Sequence, residues 1–276
     1  MWLSGHSTSF APIGKPGIVG GMNVGVFGLG RFGALWAQLL ASRTTVYGYN
    51  RTAGRPVPAG VHPARFEQLG ECDALFLCVS ISAIEDAAER LCTIVRPGTV
   101  VLDTCSVKEY PLAVLRSRLP ADVQLIGTHP MFGPDSSHNG VAGLPLIVCR
   151  ERAPEAVVRH WIDLFHQLGL NVIEMSAAEH DQEAAYTQGI THFIGRVLRE
   201  LDVQPSEIAT LGYRKILDVV EQTCNDPMQL FLDLQRYNRF TADMRRDLEA
   251  AFDRVVARLG QQAGEHIDIN RSGNIG

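Results

Sequence analysis

Gly28, Gly30 and Gly33 stand between an apolar run, Asn23 to Phe27, and a helical stretch, Ala34 to Ala41, and few folds have a use for that arrangement. In a strand-turn-helix unit Gly28 permits a tight turn, Gly30 lets the backbone approach a pyrophosphate, and Gly33 lets helix and strand pack closely. The helix amino terminus then faces the negative charge. The whole turn, Gly28, Leu29, Gly30, Arg31, Phe32 and Gly33, is the predicted cofactor-binding segment. A glycine-rich turn without a ligand is the bland alternative, and the surrounding pattern argues against it.

That pattern is alternation. Thr44 to Tyr49, Ala74 to Val79, Thr99 to Leu102, Val123 to Gly127 and Leu146 to Cys149 read as further strands, several of them separated by helical stretches. A helix at about Pro154 to Leu168 and a last strand near Asn171 to Met175 follow. Near-continuous apolar strands alternating with helices specify a parallel sheet covered on both faces. From Ser176 the strand signal stops, and long helices follow, broken near Pro205, Asn225 to Pro227 and Gly260. Ser176 and Glu179 have the spacing of a capping box, which marks the boundary. The expected fold is therefore α/β: a Rossmann-type doubly wound parallel sheet over residues 22–175, then an all-helical domain over 176–260. A Ser-, Gly- and Pro-rich stretch over 1–21 reads as a disordered leader, and 261–276 as a loose tail.

Charge and composition narrow the partners. A formal net charge of -5 without a dense Lys/Arg run gives no footprint for nucleic acid or an anionic membrane surface. The apolar runs are too short to span a bilayer, and the amino terminus lacks the charged and apolar regions of a signal peptide. Six cysteines without a C-x-x-C pair fit reduced thiols in the cytoplasm. No cluster of His, Cys and carboxylates has metal-ligand spacing, so no metal is expected. A small-molecule substrate is the default.

At the end of the second strand, where a carboxylate would accept the ribose hydroxyls of NAD, the chain has Asn50, Arg51 and Thr52. An Arg there pairs with a 2'-phosphate while Asn and Thr supply hydrogen bonds, so NADP is favoured and NAD is the alternative. Arg51 as a solvated loop cation is the competing reading.

Three later segments bear on the reaction: Asp103 to Lys108 with Ser106 between, Gly127 to Pro134 containing His129-Pro130-Met131-Phe132-Gly133-Pro134, and Glu179-His180-Asp181 followed by Gln188 and His192. Together with Gly212-Tyr213-Arg214 and Asp226-Pro227 they resemble the prephenate dehydrogenase family, over nearly everything from Met22 to about Leu259. The likeness is to the dehydrogenase half of the bifunctional chorismate mutase-prephenate dehydrogenases. It implies oxidative decarboxylation of prephenate to 4-hydroxyphenylpyruvate, with hydride transfer to NAD(P), in tyrosine biosynthesis. Arogenate and 4-amino-4-deoxyprephenate are the alternative substrates.

An imidazole has an ordinary pKa suited to taking a hydroxyl proton near neutral pH, and His129 lies just past a strand end. The resemblance makes it the catalytic base, with Ser106 orienting the hydroxyl or the imidazole and Lys108 attracting a dianionic substrate. It carries Arg214 over as a carboxylate clamp. Gln188 and His192, four residues apart and on one helix face, would hold the side-chain end of the substrate. His180, in the first turn of the same helix, lines the site or caps the helix. By resemblance, too, the helical domain makes a homodimer. Two rival readings keep the glycine turn: a β-hydroxyacid dehydrogenase, against which no Gly-rich segment precedes Lys215, and a silent NADP sensor, which would bind the cofactor without consuming it.

Overall fold

Runs of Val, Ile, Leu and Phe that are apolar on both sides are stable only where both sides are covered. The computed structural model describes residues 21–269 other than residue 53. Its strands are β1 (Asn23–Phe27), β2 (Thr45–Tyr49), β3 (Val61–Pro63), β4 (Ala74–Leu77), β5 (Val100–Asp103), β6 (Gln124–Pro130), β7 (Pro145–Arg152) and β8 (Asn171–Glu174). They form one eight-stranded sheet in the order β3-β2-β1-β4-β5-β6-β7-β8. Helices α1 (Arg31–Leu40) and α4 (Glu155–Gln167) cover one face, where Trp36, Phe76, Trp161 and Phe165 are buried together. Helices α2 (Ile84–Leu91) and α3 (Glu109–Arg118) cover the other, over Leu75, Leu77, Leu91 and Leu115. The strand order turns back on itself between β1 and β4, which opens a crevice at their carboxyl ends.

Two details depart from the expected sheet. Strand β3 was not foreseen, being three residues at the sheet edge with too short a pattern to read. The sheet is also not wholly parallel, because β7 pairs antiparallel with β6, while β8 returns parallel to β7. Between β6 and β7 no helix intervenes, and without a crossover the chain comes back in the opposite direction.

The helical domain comprises α5 (Ala177–Ala184), a π-helical turn at Ala185–Gly189, α6 (Ile190–Glu200), α7 (Leu211–Asn225), α8 (Met228–Tyr237) and α9 (Thr241–Ile269). The capping box is formed: the Ser176 hydroxyl accepts from the Glu179 amide at 3.2 Å, and the Glu179 carboxylate accepts from the Ser176 amide at 2.9 Å. The chain leaves the helix near Pro205 and at Asp226-Pro227 as predicted, but α9 runs straight through Gly260. One glycine costs a helix only roughly 1 kcal/mol, which does not stop it. The leader expected over 1–21 lies outside the described residues save for Gly21, as does the part of the expected tail beyond Ile269.

Candidate active site

Main-chain geometry at the glycine turn shows which glycines the fold needs. Gly28 has φ +106°, and a Cβ there would collide with the Cys78 carbonyl. A Cβ on Gly33 would collide with the Gly28 carbonyl. Gly30 is different: nothing lies within 4 Å of where its Cβ would be, and as N-cap of α1 it supplies no side chain to the free amides of the first turn. Open space before unsatisfied N–H groups at a helix start is a fit for a pyrophosphate. Gly30, Arg31, Phe32 and Gly33 line a cavity of about 520 Å³, and Gly28, Asn50, Arg51 and Thr52 line an adjoining one of about 230 Å³. The Leu29 side chain is buried in the core, so that residue offers only backbone. Arg51 is exposed, 3.8 Å from Asp86, and Arg55 and Arg90 border the same smaller cavity.

The carboxyl ends of β5 and β6 supply Ser106 and His129 to the larger cavity, and the π-helical turn and α6 supply Gln188 and His192 from above. His129 is 3% exposed. Its Nδ1 lies 2.8 Å from His180 Nε2, and His180 Nδ1 lies 2.8 Å from Asp181 Oδ1. The Asp181 carboxylate also accepts the main-chain amides of Lys108 at 2.7 Å and Glu109 at 2.9 Å, at the start of α3. These bonds fix the tautomers. A carboxylate only accepts, so His180 Nδ1 carries the proton; in a neutral His180 ring Nε2 then accepts, so His129 Nδ1 carries its proton. His129 Nε2 is left with a free lone pair. Burial above all, then the neighbouring His180 and Lys108, pushes the His129 pKa well below 6.5 and keeps the ring neutral.

The other expected site residues divide. His180 stands behind His129 and orders it, where the sequence suggested lining or capping. Ser106 borders the cavity, but His180 is the partner of His129. Lys108 does not face a substrate: it is fully buried, donating to the Asp103 carboxylate and, at 2.6 Å, to the Thr128 carbonyl. A buried ammonium needs such partners, and the end of β5 provides them. Burial raises the Asp103 pKa, against the opposing pull of Lys108. Arg214 lies exposed on α7 and does not border the cavity. His192 is 4.0 Å from Asp226, and burial lowers its pKa to about 4, with Arg196 adding to the effect. His192 Nδ1 and Gln188 Oε1 are buried without a hydrogen-bond partner among the described residues, as groups awaiting a ligand would be.

Asp181, next to His180, and Asp226, in the Asp226-Pro227 pair, carry no sequence signal of their roles. Neither does Asp233, which is buried and accepts from the Ser82 amide at 3.0 Å and hydroxyl at 2.8 Å, joining α8 to the turn before α2. Only three-dimensional neighbours reveal these roles.

The family model described as "Prephenate dehydrogenase, nucleotide-binding domain" matches residues 38–173, and one described as "TYRAAT1-like, C-terminal domain" matches 197–270. Among curated relatives, the chain is 31% identical over 258 residues to arogenate dehydrogenase 1, chloroplastic, of Arabidopsis thaliana, covering 89% of this chain and 40% of the relative. It is 36% identical over 197 residues to arogenate dehydrogenase 2, chloroplastic, of the same plant, covering 68% and 54%. The chain thus spans about two fifths to about half the length of these relatives. The crystal structure of prephenate dehydrogenase from A. aeolicus in complex with hydroxyphenyl propionate and NAD+ has the same fold, with a TM-score of 0.67 at 16% identity over 92% of this chain and 98% of that one.

Proposed function

The chain belongs to the prephenate and arogenate dehydrogenase family, and from that premise we propose that it oxidises and decarboxylates a 4-hydroxycyclohexadienyl acid. The observation that carries this reading is the Asp181, His180, His129 series, which leaves a neutral acceptor nitrogen in the cavity that the glycine turn borders. A nicotinamide dinucleotide along Gly28 to Gly33 would accept the hydride from ring carbon 4. His129 Nε2 takes the proton of the 4-hydroxyl as that hydride departs, and the electrons of the bond to the ring carboxylate flow into the ring as carbon dioxide leaves. The ring becomes aromatic, and His129 returns the proton to the phenolate oxygen. Asp181 and His180 hold the positive charge that His129 gains in between.

Prephenate and arogenate differ only in a keto or an ammonium group on the side chain. Asp226, half-buried at the cavity wall and beside His192, favours the ammonium, which agrees with the names of the two plant relatives. For the cofactor, Asn50, Arg51 and Thr52 with Arg55 and Arg90 favour the 2'-phosphate of NADP over NAD. Six free cysteines suit a reducing compartment such as the cytoplasm. A homodimer through the helical domain would cover Phe252, Val255, Val256 and Leu259, which α9 exposes.

The test is a matrix of prephenate, arogenate and 4-amino-4-deoxyprephenate against NAD and NADP, run with the wild type and His129→Asn. Turnover with arogenate and NADP is expected, reduced on the order of 100- to 10,000-fold in the variant, with dinucleotide affinity unchanged. Near-wild-type turnover in His129→Asn would sink the assignment.

A further inference from the structure

The proposed substrate brings two carboxylates into a cavity whose expected cations are elsewhere. Lys108 is bonded away beneath the sheet end, Arg214 lies outside, and His129 and His192 are held neutral. Among the described residues the guanidinium groups bordering the cavity are those of Arg31 and Arg55, and Arg55 is shared with the adjoining nucleotide cavity.

Arg31 joins three parts of the site. It is the first residue of α1, so its main chain belongs to the glycine turn. Its guanidinium reaches across to Asp135 Oδ1 at 2.7 Å and to the Asn225 carbonyl at 3.3 Å. Asp135 sits on the loop that leaves His129, and Asn225 ends α7, next to Asp226. One side chain therefore touches the nucleotide turn, the loop after the base, and the helical roof. The Arg31–Asp135 pair is 51% and 41% exposed, and a solvated pair of that kind is weakly held. A second carboxylate arriving in the cavity can displace Asp135, while the Asn225 carbonyl keeps the guanidinium aimed.

We propose that Arg31 binds the side-chain carboxylate of the substrate, with Asp135 as the placeholder that it releases. The inference rests on the functional reading above and adds a specificity residue to it. Arg31 takes the carboxylate and the adjacent Asp226 takes the neighbouring ammonium, so the pair reads an α-amino acid end.

The test uses 3-(4-hydroxyphenyl)propionate, which has the side-chain carboxylate and no ring carboxylate, against 4-ethylphenol, which has neither. Binding is measured by calorimetry at saturating dinucleotide, for the wild type, Arg31→Met and Asp135→Asn. Arg31→Met should weaken the propionate on the order of 10- to 100-fold, the worth of a charged hydrogen bond, while leaving 4-ethylphenol unchanged. Asp135→Asn should tighten the propionate. In turnover, Arg31→Met should raise KM with kcat within about threefold. Equal loss for both ligands, no loss for either, or failure of the wild type to bind the propionate would overturn the proposal. A wild type that binds the propionate through Arg31 yet turns over no cyclohexadienyl acid would refute the functional reading alone.

Discussion

His129 owes its reactive nitrogen to a residue fifty-one positions away, and that dependence sets its pH behaviour. A base acts only when unprotonated, and the His129 pKa is pushed below 6.5, chiefly by burial. Activity governed by it is lost as pH falls through that lowered value and is fully present above it. The acid limb of kcat/KM should thus lie well below pH 6.5, with no loss on this account between pH 6.5 and 8; a limb centred at or above 6.5 would contradict the buried relay. The His129-Pro130 segment was legible because its residue types and order are rare. Lys108 and Arg214 were not, because nothing in a one-dimensional string says whether a cation turns toward a cleft or toward a buried carboxylate such as Asp103.

At the scale of the element, the glycine turn separates into structural and ligand-facing parts. Gly33→Ala places a methyl against the Gly28 carbonyl, a main-chain atom that cannot move aside, and should cost a few kcal/mol. Gly30→Ala meets nothing and should melt within a few degrees of wild type, while weakening dinucleotide binding by intruding where the phosphate approaches. Thermal melts of both, with and without dinucleotide, check the pair of expectations; a Gly30→Ala protein that binds as tightly as wild type would remove the phosphate from this turn. The turn, every strand but β3, and the Ser176 cap were readable because each is a local pattern. The antiparallel β7 and the π-helical turn under Gln188 were not, since both depend on how the chain closes on distant segments.

Over the whole molecule, the helical domain is fastened to the sheet domain by buried carboxylates. Asp181 holds the amides at the start of α3, and Asp233 holds the turn before α2. Beside the first, Tyr110 and Tyr237 stack at 4.4 Å and Arg239 pairs with Glu109 at 2.7 Å. The far side of this domain leaves α9 with Phe252 at 68% and Leu259 at 65% exposure. Light scattering should return twice the 30.2 kDa chain mass, and Phe252→Glu should lower it to one copy. A wild-type protein of single mass at micromolar concentration would argue that this stripe has another use.

Asp181 serves the joint and the base at once. Any parting of the two domains wide enough to free the Lys108 and Glu109 amides from Asp181 also draws its helix neighbour His180 away from His129, and with it the reason for His129 to present a bare nitrogen. On the proposed function the molecule would be interlocked: an armed base and an open roof would exclude each other, and a nicotinamide in a gaping cleft would meet only a disarmed one.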